Sequence, residues 1–144
     1  MTQIQILITC DPDLMPVMGN PGDAGYDLKS SVDTQIQPRE RALVQTGVRI
    51  AIPNGYVGLV HPRSGLAVKY GITVLNSPGT IDSGYRGEIM VPLINHSDTE
   101  FVIKRGDRIA QIIFQAYEEV DFIQVTDLPG TLRGNQGFGS TGVN

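Results

Sequence analysis

Two segments in the middle of the chain carry residue types that could do chemistry. The segment HPRSGLAVKYG combines the guanidinium of Arg63 with the hydroxyl of Ser64 and the backbone amides of residues 64–66. Such a group can bind a phosphate when the amides begin a helical turn. Further on, GTIDSGYRGE places the Asp82 carboxylate three residues before Tyr85. Each segment also fits an ordinary turn or hairpin loop, so these residues alone indicate polar sites without a defined reaction.

Two further polar residues lie in glycine-rich or apolar sequence. Asp27 in AGYDLKS comes two residues after Gly25, and could be either a turn carboxylate or the holder of a hydrated metal ion. Gln111 lies among isoleucines in RIAQIIF, so its amide needs a specific partner if it is buried.

The elements that position these residues are predicted to be β-strands. Alternation places Ile4, Ile6 and Ile8 on one face of an N-terminal strand. Further strands are predicted for ALVQTGVRIAI, GYVGLV, EIMVPLI, FVIK, RIAQIIF and VDFIQV. One short helical turn is predicted over residues 64–70. With 17 glycines and 9 prolines between short strands, the pattern favours an all-β fold of the β-sandwich or jelly-roll type.

Composition predicts a single domain over residues 1–144, with 40% apolar residues for its core. A net charge of -4 argues against a nucleic-acid partner, because no basic stripe is available to bind phosphates. The N-terminus has no basic leader and no apolar run reaches membrane-spanning length, so we expect a cytoplasmic protein without a membrane partner. Cys10, the one cysteine, is expected to be a buried structural thiol.

Several predicted strands, such as IMVPLI and IAQIIF, are apolar at consecutive positions. Strands of this kind are usually covered on both faces, which here means by a second sheet or by a partner subunit. In the second case the protein would be an oligomer.

The order and spelling of five segments resemble the five motifs of the trimeric dUTP pyrophosphatases (dUTPases), in particular their bacterial members. These segments are AGYDLKS, PRSGLAVKYG, NSPGTIDSGYRGE, RGDRIAQ and RGNQGFGSTG, and the resemblance runs from about Asp23 to Gly142. It implies an all-β jelly-roll homotrimer that uses Mg²⁺ to convert dUTP and water to dUMP and pyrophosphate. One departure is Gln136, which stands where the family usually has glycine.

The resemblance also implies roles for individual residues. Asp82 matches the base that activates the attacking water, and Asp27 matches the carboxylate that orients the waters of Mg²⁺ held by the triphosphate. Tyr85 matches the aromatic ring that excludes a 2'-hydroxyl from the sugar site. Uracil contacts are implied for Asn76 and for the backbone at Thr80 and Ile81, a pocket-lining role for Met90, and phosphate contacts for Arg63, Ser64, Gly65 and Gln111.

The last twelve residues, 133–144, are implied to form a flexible lid supplied by a different subunit. Phe138 matches the residue that stacks on uracil, Arg133, Ser140 and Thr141 match residues at the phosphates, and Gly139 matches a further substrate-binding position. Without the resemblance, a frayed terminus is the simpler interpretation of a glycine-rich end.

Two other functions compete with dUTP hydrolysis. A dCTP deaminase on the same fold needs a glutamate in the strand after the Asp82 loop, where EIMVPLIN has no acid after Glu88. A non-catalytic nucleotide sensor built on this scaffold predicts decay in Asp82 or in the tail, and neither segment is damaged.

Overall fold

A computed structural model describes residues 3–143, so Met1, Thr2 and Asn144, at the ends of the predicted ranges 1–144 and 133–144, lie outside the described residues. The described part forms eleven β-strands, one α-helix and a 3-10 turn at Pro12–Leu14. In chain order these are β1 Leu7–Thr9, β2 Val17–Met18, β3 Tyr26–Lys29, β4 Thr34–Ile36, β5 Arg41–Ala51, β6 Tyr56–His61, α1 Ser64–Tyr70, β7 Ile72–Val74, β8 Gly79–Ile81, β9 Ile89–Asn95, β10 Phe101–Ile103 and β11 Arg108–Ala116.

The strands form two larger antiparallel sheets and one two-stranded sheet. One sheet has the order β1-β5-β9-β7, the second has the order β2-β3-β11-β6-β8, and β10 pairs with β4. Alternate residues of both larger sheets meet in a single apolar cluster, for example Val91 of β9 and Ile112 of β11. The prediction of an all-β sandwich is therefore confirmed.

The single helix, α1, confirms the predicted helical turn over residues 64–70. It ends at Gly71, which adopts the left-handed conformation with a φ of 68° that favours glycine. Leu66 packs against the core, and the ring of Tyr70 lies 5.4 Å from that of Phe101. Among residues 3–143, no helix has the length and hydropathy needed to cross a membrane.

Three interpretations of the sequence are corrected by the structure. VDFIQV, residues 120–125, forms no strand, and Phe122 is 93% exposed, because no strand among residues 3–143 pairs with this segment. Asp27 lies in β3, so it is not a turn carboxylate. The segment 79–88 is not a hairpin loop, since β8 pairs with β6 in one sheet whereas β9 pairs with β5 and β7 in the other.

Cys10 is only partly buried against the core, whereas the sequence predicted a buried thiol. Burial raises the pKa of the Cys10 thiol, and the negative charges of Asp11 and Asp13 raise it further. The thiol is therefore more fully protonated at neutral pH, and reacts more slowly, than an ordinary cysteine thiol.

Candidate active site

A polar row crosses three neighbouring strands of the five-stranded sheet. Gln111 of β11 lies opposite Asp27 of β3 on one side and opposite His61 of β6 on the other. Residues directly opposite one another point to the same face of a sheet, and the next row, with Ile112 and Val60, points into the core. The three polar side chains therefore share the outer face, close to where β6 leads into α1.

Gln111 is held in this row by close packing. Its Nε2 donates to the carbonyl oxygen of Pro62 at 3.0 Å, so the amide has the specific partner that the sequence required. A Cβ built on Gly25 would lie 2.1 Å from Gln111 Oε1 and 3.3 Å from Gln111 Cβ, so glycine at this position leaves room for the Gln111 amide as it is placed here.

Asp27 lies between two guanidinium groups. Its Oδ1 is 3.4 Å from Arg63 Nε, and its Oδ2 is 3.7 Å from Arg108 Nη1, while only 14% of its side chain is exposed. Arg63 Nη1 also donates to the carbonyl oxygen of Arg108 at 3.2 Å. Arg108 was not among the predicted site residues, although it stands in the RGDRIAQ motif.

Ser64 and Gly65 occupy the first turn of α1, directly after Arg63. Both are exposed, and nothing lies within 4 Å of a Cβ built on Gly65. This first turn is therefore open to solvent, directly after Arg63 in the chain, as phosphate contacts would require.

The Asp82 loop, residues 82–88, is a second polar group with its own support. Tyr85 N donates to the carbonyl oxygen of Asp82 at 3.1 Å, and Arg86 Nη1 donates to that of Ser83 at 2.6 Å. Ser83 Oγ donates to Asn54 Oδ1 at 3.2 Å. Among residues 3–143, no side-chain hydrogen bond or ion pair involves the exposed Asp82 carboxylate, which is thus available to a ligand or a water.

Tyr85 is fixed on this loop by its neighbours. Its hydroxyl donates to the carbonyl oxygen of Glu88 at 2.7 Å, and a Cβ on Gly87 would lie only 2.6 Å from that hydroxyl. Glu88 Oε2 in turn accepts from Gly47 N at 3.1 Å, at an irregularity in β5. The loop and its ring are therefore anchored to the four-stranded sheet.

The other predicted contacts flank the same loop. Asn76 lies in the turn before β8, with its Nδ2 3.5 Å from the position of a Cβ on Gly79. Thr80 is exposed on β8, Ile81 packs partly against the core, and Met90 points outward from β9 with 40% of its surface exposed.

One chain does not bring the two polar groups together. Because β8 runs antiparallel to β6, with Ile81 opposite Gly58, Asp82 lies towards the Tyr56 end of β6. Arg63 follows His61 at the other end. About six residues of extended chain, or on the order of 20 Å, separate the levels of Asp82 and Arg63 along the sheet.

The C-terminal tail forms a third polar group. Arg133 Nη2 donates to the carbonyl oxygen of Gly137 at 3.2 Å and to Ser140 Oγ at 3.3 Å, and Phe138 is fully exposed. Among residues 118–143, the hydrogen bonds join tail residues only to one another. Gly134, Gly139 and Gly142 have positive φ values, so the tight path of this segment depends on glycine. Thr141 lies in the same turn region.

An all-β fold that carries an arginine-flanked carboxylate, an available loop carboxylate and a separate glycine-rich tail has the parts of a nucleotide-binding enzyme. The dUTPase family model matches residues 12–142, and the chain belongs to the dUTPase family.

Individual relatives agree with this membership. The chain is 62% identical over 123 residues to the deoxyuridine 5'-triphosphate nucleotidohydrolase of Bifidobacterium longum (strain DJO10A), a match that covers 85% of this chain and 78% of that protein. The fold of the present chain resembles that of the dUTPase of Staphylococcus bacteriophage 80alpha solved with dUPNHPP. The TM-score is 0.89, with 28% identity over 98% of this chain and all of the phage chain. A D95N mutant dUTPase of phage phi11 of S. aureus, described as coordinating a structural Mg(II) ion, gives a TM-score of 0.79 and 25% identity over 87% of this chain and 99% of that chain.

Proposed function

We propose that this protein hydrolyses dUTP to dUMP and pyrophosphate, which keeps uracil out of DNA and supplies dUMP for dTMP synthesis. The observation that carries the proposal is the Asp82 carboxylate, which has no side-chain partner among residues 3–143 and stands on the loop that also holds the Tyr85 ring. An ionised carboxylate in this position can take a proton from a water aligned for in-line attack on the α-phosphorus.

Uracil and deoxyribose are recognised by the residues around the Asp82 loop. The Asn76 amide and the backbone at Thr80 and Ile81 can donate to O4 and accept from N3-H, whereas cytosine would leave such groups unpaired. The Tyr85 ring cannot move aside easily, because Glu88 holds its hydroxyl and Gly87 lies beneath it. A ribose 2'-hydroxyl would therefore collide with a fixed ring, next to the pocket lined by Met90.

The triphosphate binds at the Asp27 end of the polar row. Arg63, the first turn of α1 with Ser64 and Gly65, and Gln111 supply the cation and the donors. Mg²⁺ supplies neutralisation of charge on the phosphate oxygens when bound.

The residues present fit a hydrated Mg²⁺. Within residues 3–143, no group of three or more His, Cys, Asp or Glu side chains lies together, and Asp27 is a single carboxylate. Since Mg²⁺ usually keeps several of its waters and binds through substrate phosphates, Asp27 would hold it by accepting hydrogen bonds from those waters.

The active site is shared between subunits of a homotrimer, with three sites per trimer. Two features of the chain support this arrangement: Asp82 and Arg63 lie towards opposite ends of β6, and apolar side chains such as Leu43 and Phe122 remain exposed. The tail from residue 133 acts as a lid, in which Phe138 stacks on uracil and Arg133, Gly139, Ser140 and Thr141 reach the phosphates.

The competing functions find less support in the geometry. A deaminase needs a free carboxylate on β9, but the outward residues Met90, Pro92 and Ile94 carry none, and Glu88 is bonded to Gly47 N. The net charge of -4 and the nucleotide substrate agree with a cytoplasmic enzyme that binds neither nucleic acid nor membrane.

Pyrophosphate release from dUTP, dCTP, dTTP and UTP, each with Mg²⁺ and with EDTA, tests the proposal. We expect release from dUTP only, and only with Mg²⁺. Ammonia release from dCTP would identify a deaminase, and binding of dUTP without turnover would identify a sensor.

A further inference from the structure

Arg108 is a charged residue of the candidate site to which no role has been assigned. It begins β11, and 52% of its side chain is exposed. Together with Arg63 it lines a shallow concavity between α1 and the start of β11, which also includes Leu66, Tyr70 and Asp107. Both arginines of the Asp27 cluster therefore border one open space, which Leu66 and Tyr70 of α1 also line.

The contacts between Asp27 and the two arginines are loose. Their distances of 3.4 and 3.7 Å exceed the roughly 2.7–2.9 Å of a well-formed charge-assisted hydrogen bond. The guanidinium side of each pair is also open to water, since 33% of the Arg63 side chain and 52% of the Arg108 side chain are exposed. The arginines are thus kept close to Asp27 without being committed to it, and either can exchange the carboxylate for another anion.

At Asp27 itself two guanidinium groups face one carboxylate, which leaves one positive charge in excess, while the Asp107 carboxylate in the same concavity accepts a hydrogen bond from Lys104 N at 2.8 Å. A triphosphate with its Mg²⁺ is still anionic, so it is attracted to this end of the sheet. When Asp27 accepts hydrogen bonds from metal-bound waters, it can no longer neutralise both arginines. One cation is then released next to the phosphates.

We propose that Arg108 is a further phosphate-binding residue, and that it stays paired with Asp27 until the nucleotide binds. This inference rests on the proposed dUTP hydrolysis and adds a residue and an exchange of partners to it. Asp27 thus has two successive sets of partners: Arg63 and Arg108 in the free chain, and metal-bound water in the complex, when Arg108 contacts the triphosphate.

A purely structural Arg108, which only keeps Asp27 in place, makes different predictions. Loss of a phosphate contact weakens nucleotide binding even without metal. It also leaves Asp27 less neutralised, so that less Mg²⁺ is needed to saturate the complex. Loss of a structural support misplaces Asp27, so that more Mg²⁺ is needed and binding without metal is unchanged.

The test compares Arg108→Gln with Arg108→Lys and with Arg41→Gln. Arg41 is exposed on β5 and makes no side-chain hydrogen bond or ion pair among residues 3–143, and Arg41→Gln removes the same charge as Arg108→Gln. Calorimetry measures the binding of dUpNHpp, a dUTP analogue with an imido bridge, in EDTA and over a range of Mg²⁺ concentrations. Melting temperature and dUTP turnover are measured on the same preparations.

We expect Arg108→Gln to weaken dUpNHpp binding in EDTA by about tenfold or more, the worth of a hydrogen bond to a charged group, and to lower the half-saturating Mg²⁺ concentration. Arg108→Lys should regain most of the affinity, and Arg41→Gln should match the wild type. Equal binding by Arg108→Gln and Arg41→Gln, or an increased Mg²⁺ requirement, overturns the inference while wild-type turnover of dUTP stands. A wild type that does not hydrolyse dUTP overturns both proposals.

Discussion

The Asp82 loop and the C-terminal tail are both short, polar and rich in glycine, yet they are held very differently. The loop is tied to the sheets through Ser83 to Asn54, through Tyr85 to Glu88 and through Glu88 to Gly47. The tail bonds only to itself among the described residues, and Phe138 is fully exposed. The loop can thus present a base and a ring in a fixed geometry, whereas the tail is free to arrive with the nucleotide.

The largest expected loss of activity follows from removing the carboxylate of the Asp82 loop. Asp82→Asn keeps the size of the side chain and the backbone bonds of the loop but removes the base. We expect kcat to fall by about 10²- to 10⁴-fold, the usual worth of a positioned general base, while dUpNHpp binding is retained. Steady-state kinetics measures this loss, and activity within threefold of the wild type would remove Asp82 from its role.

Removal of the tail should have a smaller effect. A chain that ends after Leu132 loses no core residue, so its melting temperature and oligomeric state should be unchanged. Its kcat/KM should fall by about tenfold to a hundredfold, since stacking of a base on an aromatic ring is worth about 1–3 kcal/mol. Phe138→Ala should lose only part of this. Full activity of the truncated chain would make the tail a frayed end.

A matched pair of glycines tests how rigidly the loop holds Tyr85. Gly87→Ala places a methyl group about where the Tyr85 ring now lies, whereas Gly84→Ala meets nothing within 4 Å. We expect Gly87→Ala to reduce the preference for dUTP over UTP by roughly tenfold, because the displaced ring no longer blocks a 2'-hydroxyl. The ratio of kcat/KM values measures this. An unchanged ratio in Gly87→Ala, or an equal change in Gly84→Ala, would place the discrimination elsewhere.

The smallest expected effect is a difference in alkylation rate between a thiol in the tail and the thiol of Cys10. A cysteine introduced as Ser140→Cys lies in the exposed tail, whereas burial and two aspartates raise the pKa of the native Cys10. A raised thiol pKa means less thiolate at neutral pH, so Cys10 should be alkylated more slowly than Cys introduced in the tail, and its rate should keep rising into more alkaline solution. Mass spectrometry follows both sites. Addition of dUpNHpp with Mg²⁺ should protect the tail thiol only, and equal protection of both would contradict a closing lid.

The sequence predicted the strands and the functional motifs better than it predicted how the strands pair and which side chains meet. Strands β5, β6, β9, β10 and β11 could be predicted, because the apolar residues of each alternate or are continuous, and because each pairs with another strand of the chain. VDFIQV has the same pattern but no partner strand among residues 3–143, so periodicity alone misassigned it. Local pattern cannot tell whether a neighbour exists.

Long-range register explains most of what sequence reasoning missed. Arg108 meets Asp27 only because β11 pairs with β3, and the Asp82 segment is a crossover because β8 and β9 join different sheets. Gly87 is explained by the Tyr85 ring above it, and no spacing rule indicates that contact. The family motifs identified the residues, while their partners required the fold.

Mixed assembly tests most directly whether the fixed loop and the free tail of different chains form one site. Asp82→Asn chains are refolded or coexpressed with equal amounts of chains that end after Leu132, each of which is impaired alone. If each site takes its Asp82 from one subunit and its tail from another, random assembly gives about a quarter of the sites both an intact Asp82 and an intact tail. The account predicts dUTP hydrolysis near that fraction of the wild-type rate in the mixture. A rate no higher than the mean of the two separate variants would contradict it.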